Sequence, residues 1–293
     1  MEKKTIVVIG ATGAQGTGVV RSLIADGTFS VRAVTRKPEA YTGEAQETVF
    51  GDLNDRASLE SAFRNAYGVF AVTDFWEGGD EYAQGMNAVE AARSAGVAHF
   101  IWSTLPNVEV VSNGAFDVPH FSTKAKVDQL VTDAGFPYAT FVQPPFYFQN
   151  LTGQLSPQSL QDGGTGWTLP IDPIKKVIHM SDIADLGKVV AGAFLQPEKA
   201  GHGNYLSLAT ELNSFQDIVD AYKQNGQSHT FTQVPADVFA GFFEGAAELA
   251  AMFGYFEKYT YMGPDASARI QLAKEVSTGE FNSLEKWLRE NVS

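Results

Sequence analysis

A short apolar, β-branched run from Thr5 to Ile9 leads directly into three glycines, Gly10, Gly13 and Gly16. Such a run reads as a buried parallel strand. Val19, Val20, Leu23 and Ile24 follow at helical spacing. A strand that turns on glycines into a helix presents free backbone N–H groups and the positive end of the helix dipole, the two things that hold a phosphate. Gly10 permits the tight turn, Gly13 lets the backbone approach a pyrophosphate, and Gly16 lets the helix pack on the strand. The spacing G-x-x-G-x-x-G carries one residue more between its first two glycines than the common dinucleotide fingerprint. The bland alternative is a strand–turn–helix with no ligand. The context favours a dinucleotide held by Gly10, Thr12, Gly13, Ala14, Gln15 and Gly16.

The first half of the chain then alternates. Strands are expected at 30–35, 47–52, 68–73, 99–103 and 138–142, and helices at 58–65, 81–95 and 122–134. Alternation with short links specifies a parallel sheet with helices on both faces. After Pro145 the pattern changes. Residues 153–173 are rich in Gly, Pro, Gln and Ser and read as a loop able to fold over a pocket. Helices are expected at 182–195, 215–222, 235–256 and 283–290, and a strand at 204–209. The aromatic helix at 235–256 reads as core and pocket wall rather than as a partner-binding face. The expected fold is α/β, a doubly wound parallel Rossmann sheet with a smaller, discontinuous C-terminal α+β lobe. Residues 1–150 plus 182–210 would form the first unit, and 151–181 plus 211–293 the second.

Composition removes several classes of function. The chain has no cysteine, so thiolate metal sites, thiol nucleophiles and disulfides are excluded. Lys and Arg number 21 against 34 Asp and Glu, a formal charge of −13 that repels nucleic acid phosphates. Direct nucleic acid contact is not expected, although control of transcription through another protein is compatible with the charge. No apolar run approaches membrane-spanning length. Met1-Glu2-Lys3-Lys4 is too short to be a signal segment. A soluble intracellular protein is expected, cytoplasmic and, as a regulator, also nuclear.

The second strand decides which nicotinamide cofactor fits. NAD-binding sheets place an Asp or Glu near its end for the ribose 2′-OH, and NADP-binding ones an Arg. Here the strand ends Thr35-Arg36-Lys37-Pro38, with no acid until Glu39. Arg36 can stack on adenine and pair with a 2′-phosphate, and Lys37 adds a second positive charge. The alternative is a solvated basic turn. Asp52 can hold the adenine amine with Leu53 over the ring, or Asp52 can cap the following helix. Thr73 to Trp76 follow the fourth strand and can line the ribose and nicotinamide side, while Phe75 and Trp76 can equally be core. Ser103 ends the fifth strand. His120 and Lys124 stand four apart, on one helix face. A lysine can hold the hydroxyls of a nicotinamide ribose, and a serine can hydrogen-bond a carbonyl oxygen. A tyrosine to donate the proton is missing. His120 is a candidate donor, weakened by the neighbouring Lys124 cation, or it hydrogen-bonds the loop after the fifth strand. His99, His179, His202 and His229 show no paired metal-ligand spacing, no G-x-S-x-G elbow occurs, and no metal is expected.

This set resembles the extended short-chain dehydrogenases, whose Tyr-x-x-x-Lys stands here as His120-Phe121-Ser122-Thr123-Lys124. More closely the chain resembles the NmrA-like branch. The matching stretches are Gly10 to Gly16, Val34-Thr-Arg36, Gly51-Asp-Leu53, Val72 to Glu77, Ile101 to Asn107, His120 to Lys124 and Pro144 to Leu151. Looser matches run through Ser181 to Asp185, Asn204 to Ser207 and Leu284 to Trp287. The resemblance implies NADP(H) held by the glycine loop, Arg36 and Lys124, with Pro145, Phe146 and Phe148 bordering the nicotinamide pocket. Some members of this family look like NADPH/NADP+ sensors that regulate a partner such as a GATA-type transcription factor. Others, with the related isoflavone-reductase-like proteins, are reductases. Two expectations therefore stand. One is a redox sensor acting through a protein partner. The other is an NADPH-dependent reductase of a quinone, carbonyl or conjugated aromatic substrate, using Ser103, Lys124 and His120.

Overall fold

A computed structural model describes residues 3–160 and 163–292. Met1 and Glu2 of the lead segment, and Gln161 and Asp162 of the expected loop, lie outside the described residues. The buried run Thr5–Ile9 forms β1, and α1 spans Ala14–Asp26. Then come β2 (Ser30–Thr35), β3 (Glu47–Phe50), α2 (Arg56–Ala62), β4 (Gly68–Ala71), α3 (Glu81–Ser94), β5 (His99–Ser103), α4 (Val108–Val111), α5 (Pro119–Asp133) and β6 (Tyr138–Gln143). The second half holds β7 (Phe146–Tyr147), β8 (Gln158–Ser159), β9 (Thr165–Leu169), β10 (Ile178–Ser181), α6 (Ala184–Leu195), α7 (Pro197–Ala200), β11 (His202–Ser207) and β12 (Glu211–Asn213). It ends with α8 (Phe215–Gln224), β13 (Thr230–Gln233), α9 (Ala236–Phe239), α10 (Ala246–Tyr259), α11 (Ala266–Val276) and α12 (Leu284–Asn291).

Seven strands form one sheet in the order β11-β6-β5-β4-β1-β2-β3, every pair parallel. The chain order reverses direction between β1 and β4. In a doubly wound sheet the crevice beyond the carboxyl ends at such a point is where ligands sit. One face of the sheet is covered by α1 and α6, whose Val19, Leu23, Leu186, Val189 and Val190 share a core with Ile6 and Ile101. Ala273 and Val276 of α11 join that same core. On the other face Leu59, Val89, Val127 and Val131 pack on Val7, Val69, Phe100 and Trp102. Both faces are sealed, which is why the strands read as continuous apolar runs instead of alternating.

A third core gathers Phe148, Trp167, Phe215, Tyr222, Phe253, Phe256 and Trp287. Two small sheets edge it, β12-β10-β7 and β13-β9-β8. The expected loop at 153–173 contains β9, which pairs in parallel with β13 and buries Trp167. The expected helix at 235–256 is two helices. Gly245 at φ 89° stands before α10, and between the two segments Phe242 and Phe243 are left about half exposed. Among the described residues no helix is long and apolar enough to cross a membrane.

Candidate functional site

The turn after β1 is built around two glycines. Gly10 has a φ of 71°, and its carbonyl accepts the Gly13 N–H at 2.9 Å. A Cβ on Gly16 would lie 2.1 Å from that same carbonyl oxygen, so the first turn of α1 closes on the loop only with glycine there. No side chain caps α1, and its first turn carries no acid. The N–H groups at its start are thus left for an anion, with the helix dipole behind them.

This turn is one wall of a cavity of about 1070 Å³ along the carboxyl ends of β1 to β4. Gly10, Thr12, Gly13, Ala14, Gln15 and Gly16 line it, as do Arg36 and Lys37 after β2, Asp52 and Leu53 after β3, and Thr73 and Phe75 after β4. His120 and Lys124 of α5 line it further along. The structure thus brings together fourteen residues singled out from the sequence. Asp52 does not cap α2. Asp55 does, accepting the Ala57 and Ser58 N–H groups, and Asp52 Oδ1 accepts from Asn54.

Four residues fall elsewhere. Ser103 is fully buried, and its Oγ donates to Gln15 Oε1 at 2.8 Å. Pro145, Phe146 and Phe148 do not line the cavity. The short strand β7 pairs with β10, and Phe146 and Phe148 on either side of Tyr147 turn into the third core. Tyr147, between them, faces the cavity instead.

The lysine is committed. Lys124 Nζ donates to the Thr73 carbonyl at 2.8 Å, to Thr73 Oγ1 at 3.0 Å and to Glu81 Oε1 at 2.5 Å. The side chains of Lys124 and Glu81 are 9% and 3% exposed. An ammonium has three protons, and these three acceptors use them all. Burial lowers the pKa of Lys124, and the Glu81 carboxylate opposes that shift. His120 is held by the start of α10. Its Nδ1 pairs with Glu248 Oε1 at 2.5 Å, and its backbone N–H donates to the same oxygen. Burial lowers the His120 pKa, Glu248 and Glu81 work against that, and Lys124 lowers it further. A neutral ring that donates from Nδ1 keeps a lone pair, not a proton, on Nε2.

Sequence reading missed Glu81 and Glu248 because each acts across the fold, 43 and 128 residues from its partner. Near Arg36 it also missed a carboxylate. Arg36 Nη2 donates to Glu77 Oε2 at 2.9 Å and Oε1 at 3.2 Å, with both side chains exposed.

A model of the NmrA-like family matches residues 2–288. An NmrA-like family domain-containing oxidoreductase of Malbranchea aurantiaca is 27% identical, over 98% of this chain and 96% of its own. Among solved structures, the negative transcriptional regulator NmrA superposes with a TM-score of 0.81 at 25% identity, over 99% of this chain and 96% of that one. NmrA has been crystallised in complex with NAD and with NADP. An NADPH-dependent quinone oxidoreductase of Escherichia coli shares the fold, with a TM-score of 0.77 at 20% identity, over 98% and 100% of the two chains.

Proposed function

The chain belongs to the NmrA-like family, and from that footing we propose that it binds NADP(H) along the carboxyl ends of its large sheet and reports the NADPH/NADP+ state to a protein partner. The uncapped start of α1 and the Gly10–Gly16 turn suit the pyrophosphate, because free N–H groups lead the helix and Gly16 lets it close tightly on the Gly10 carbonyl. Arg36 and Lys37 suit a 2′-phosphate, since a guanidinium matches its oxygens in pairs. Asp52 and Leu53 border the adenine end, and Thr73, Phe75, His120 and Lys124 the nicotinamide end. When bound, NADPH supplies a hydride from C4 of its nicotinamide.

One observation carries the sensing reading over the catalytic one: Lys124 spends its three protons on Thr73 and Glu81. It has none free to hold a ribose and tune a proton donor at once. Ser103 is likewise taken, by Gln15, and away from the cavity wall. His120, neutral and donating to Glu248, does not offer a proton from Nε2 at neutral pH. What remains is a site that holds a dinucleotide and can respond to its nicotinamide. Oxidised and reduced cofactor shift a partner surface only if they bind its conformations unequally.

The reductase reading rests on two observations, the oxidoreductase names of the relatives and the aromatic wall of Phe75 and Trp76 around His120, with Tyr147 lining the same cavity. Calorimetry and a turnover screen separate the two. NADP+ and NADPH bind the wild-type protein, and Arg36→Ala weakens NADP+ by about 10-fold, the cost of one exposed charge-assisted hydrogen bond. NADPH is not consumed across a panel of quinones and aromatic aldehydes, and capture of a partner follows the NADPH/NADP+ ratio. Turnover that is lost in Lys124→Ala and His120→Ala, with cofactor still bound, overturns the sensor in favour of the reductase.

A further inference from the structure

We propose that Glu77 sets the balance between phosphorylated and unphosphorylated ribose in this site, by competing with the 2′-phosphate for Arg36 and by accepting the 2′-OH when that phosphate is absent. The inference rests on the dinucleotide reading above and goes beyond it. Three features of the structure carry it.

The first is position. Arg36 and Glu77 both line the cavity, at the end where β2 and β4 deliver their loops. The second is partnership. Among the described residues, the Glu77 carboxylate and the Arg36 guanidinium bond only to one another, through Nη2 to both oxygens. A 2′-phosphate that pairs with Arg36 must therefore take the place of a carboxylate already there. The third is the segment itself. Glu77 ends a single 3₁₀ turn, Phe75–Glu77, tied at its start by Asp74, which accepts the Trp76 N–H at 2.9 Å. Beyond it stand Gly78 and Gly79 at φ 76° and 102°. Two consecutive glycines give this end of the turn the backbone freedom to carry Glu77 away from Arg36.

The chemistry follows from charge. Sheets of this kind that take NAD hold the ribose 2′-OH on an acid near the end of the second strand. The chain lacks that acid after β2, and Glu77 supplies one from the loop after β4. Against a neutral hydroxyl its carboxylate is an acceptor, with Arg36 beside it holding it in place. Against a phosphate dianion it repels and must leave. One residue therefore helps the unphosphorylated ribose and hinders the phosphorylated one, which flattens the preference that Arg36 and Lys37 would otherwise impose.

The test is calorimetry of wild type, Glu77→Gln, Glu77→Ala and Arg36→Ala with NADP+ and NAD+. Adenosine 2′,5′-bisphosphate and AMP serve as probes that differ only in the 2′-phosphate. Because the pair is exposed, its weight is that of a surface ion pair, so Glu77→Gln should tighten NADP+ by about 2–5-fold and weaken NAD+ by about as much. The two changes run in opposite directions, and 1 M salt should shrink the gain for NADP+. Adenosine 2′,5′-bisphosphate follows NADP+, and AMP follows NAD+. Equal changes for both dinucleotides, or none, while Arg36→Ala still loses NADP+, overturn the role of Glu77 and leave the cofactor reading intact. Failure of the wild-type protein to bind either dinucleotide overturns the reading on which it rests.

Discussion

Replacing Glu81 by alanine strands the Lys124 ammonium, 9% exposed, with only the two oxygens of Thr73 for partners. Two routes are open to it. Kept charged, it bears the cost of a buried pair broken on one side, about 3–5 kcal/mol. Released as a neutral amine at pH 7, it costs about 4–5 kcal/mol, the work of deprotonating a lysine with an ordinary pKa near 10.4. The cheaper route sets the loss, so about 3–4 kcal/mol is expected, a large part of the roughly 5–15 kcal/mol that holds a typical domain folded. Urea unfolding measures it as a fall in midpoint with unchanged slope. The pH dependence identifies the cause. Burial already lowers the pKa of Lys124 with its partner present. Without Glu81 the unfolded chain binds the proton more tightly than the folded one, so stability rises with pH by up to about 1.4 kcal/mol per unit below 10. The exposed pair of Arg56 with Glu60, at 42% and 40% exposure, serves as control, and Glu60→Ala should cost less than about 1 kcal/mol. A loss below about 1 kcal/mol in Glu81→Ala, flat with pH, refutes the claim that this pair is desolvated. The commitment of Lys124 would then go with it.

Gly16→Ala puts a methyl carbon 2.1 Å from the Gly10 carbonyl oxygen, so the turn after β1 must open. Titration with NADP+ should show binding abolished, while a mild thermal shift shows the sheet intact. Acid stability has a defined sign. Burial lowers His99 to about 3 and His179 to about 4, so between pH 6.5 and 4 the unfolded chain holds two more protons. That pair makes stability fall on acidification by about 2.7 kcal/mol per pH unit. Burial raises Asp128 to about 7, which acts in the opposite direction over the same range. Its weight is about 1.4 kcal/mol per unit, so these three groups together leave a fall of about 1.4. Asp128→Asn removes the opposing group, and urea unfolding from pH 6.5 to 4.5 should show a fall steeper by about 1.4 kcal/mol per unit.

The large sheet was legible because its local signals and its tertiary role coincide. Ile6 to Ile9 is apolar throughout because both faces of β1 are covered, and glycines at Gly27 and Gly135 close α1 and the segment after α5. The wall of the large cavity was legible for the same reason, since the residues after β1, β2 and β3 converge by topology alone. Reading failed where the deciding partner is distant in sequence. The pattern from Phe239 to Phe256 is helical in its spacing, yet Gly245 at φ 89° breaks it. Trp167 sits in a Gly-rich stretch that reads as loop, and pairing with β13, some sixty residues on, and with the two-residue β8 makes a strand of it. Phe146 and Phe148 are apolar and flank a lining residue, and which side faces the cavity is set by pairing with β10. Lys124 and His120 were found, but not the carboxylates of Glu81 and Glu248 that fix what they can do.

Elements far apart in sequence meet in one apolar cluster, where Ile6, Val20 and Leu23 share a core with Leu186, Ala273 and Val276. A ribosome delivers the amino end first, so β1 and α1 emerge with their packing partners still unmade. The apolar surface that α6 covers on α1 stays open to water until residues 184–195 have been made, and the face that α11 covers until Val276. Contacts so far apart in sequence close slowly, and exposed strands of this kind invite association in the meantime. A truncation before Ala266 therefore uncovers the apolar faces of β11 and α6 on which α11 packs.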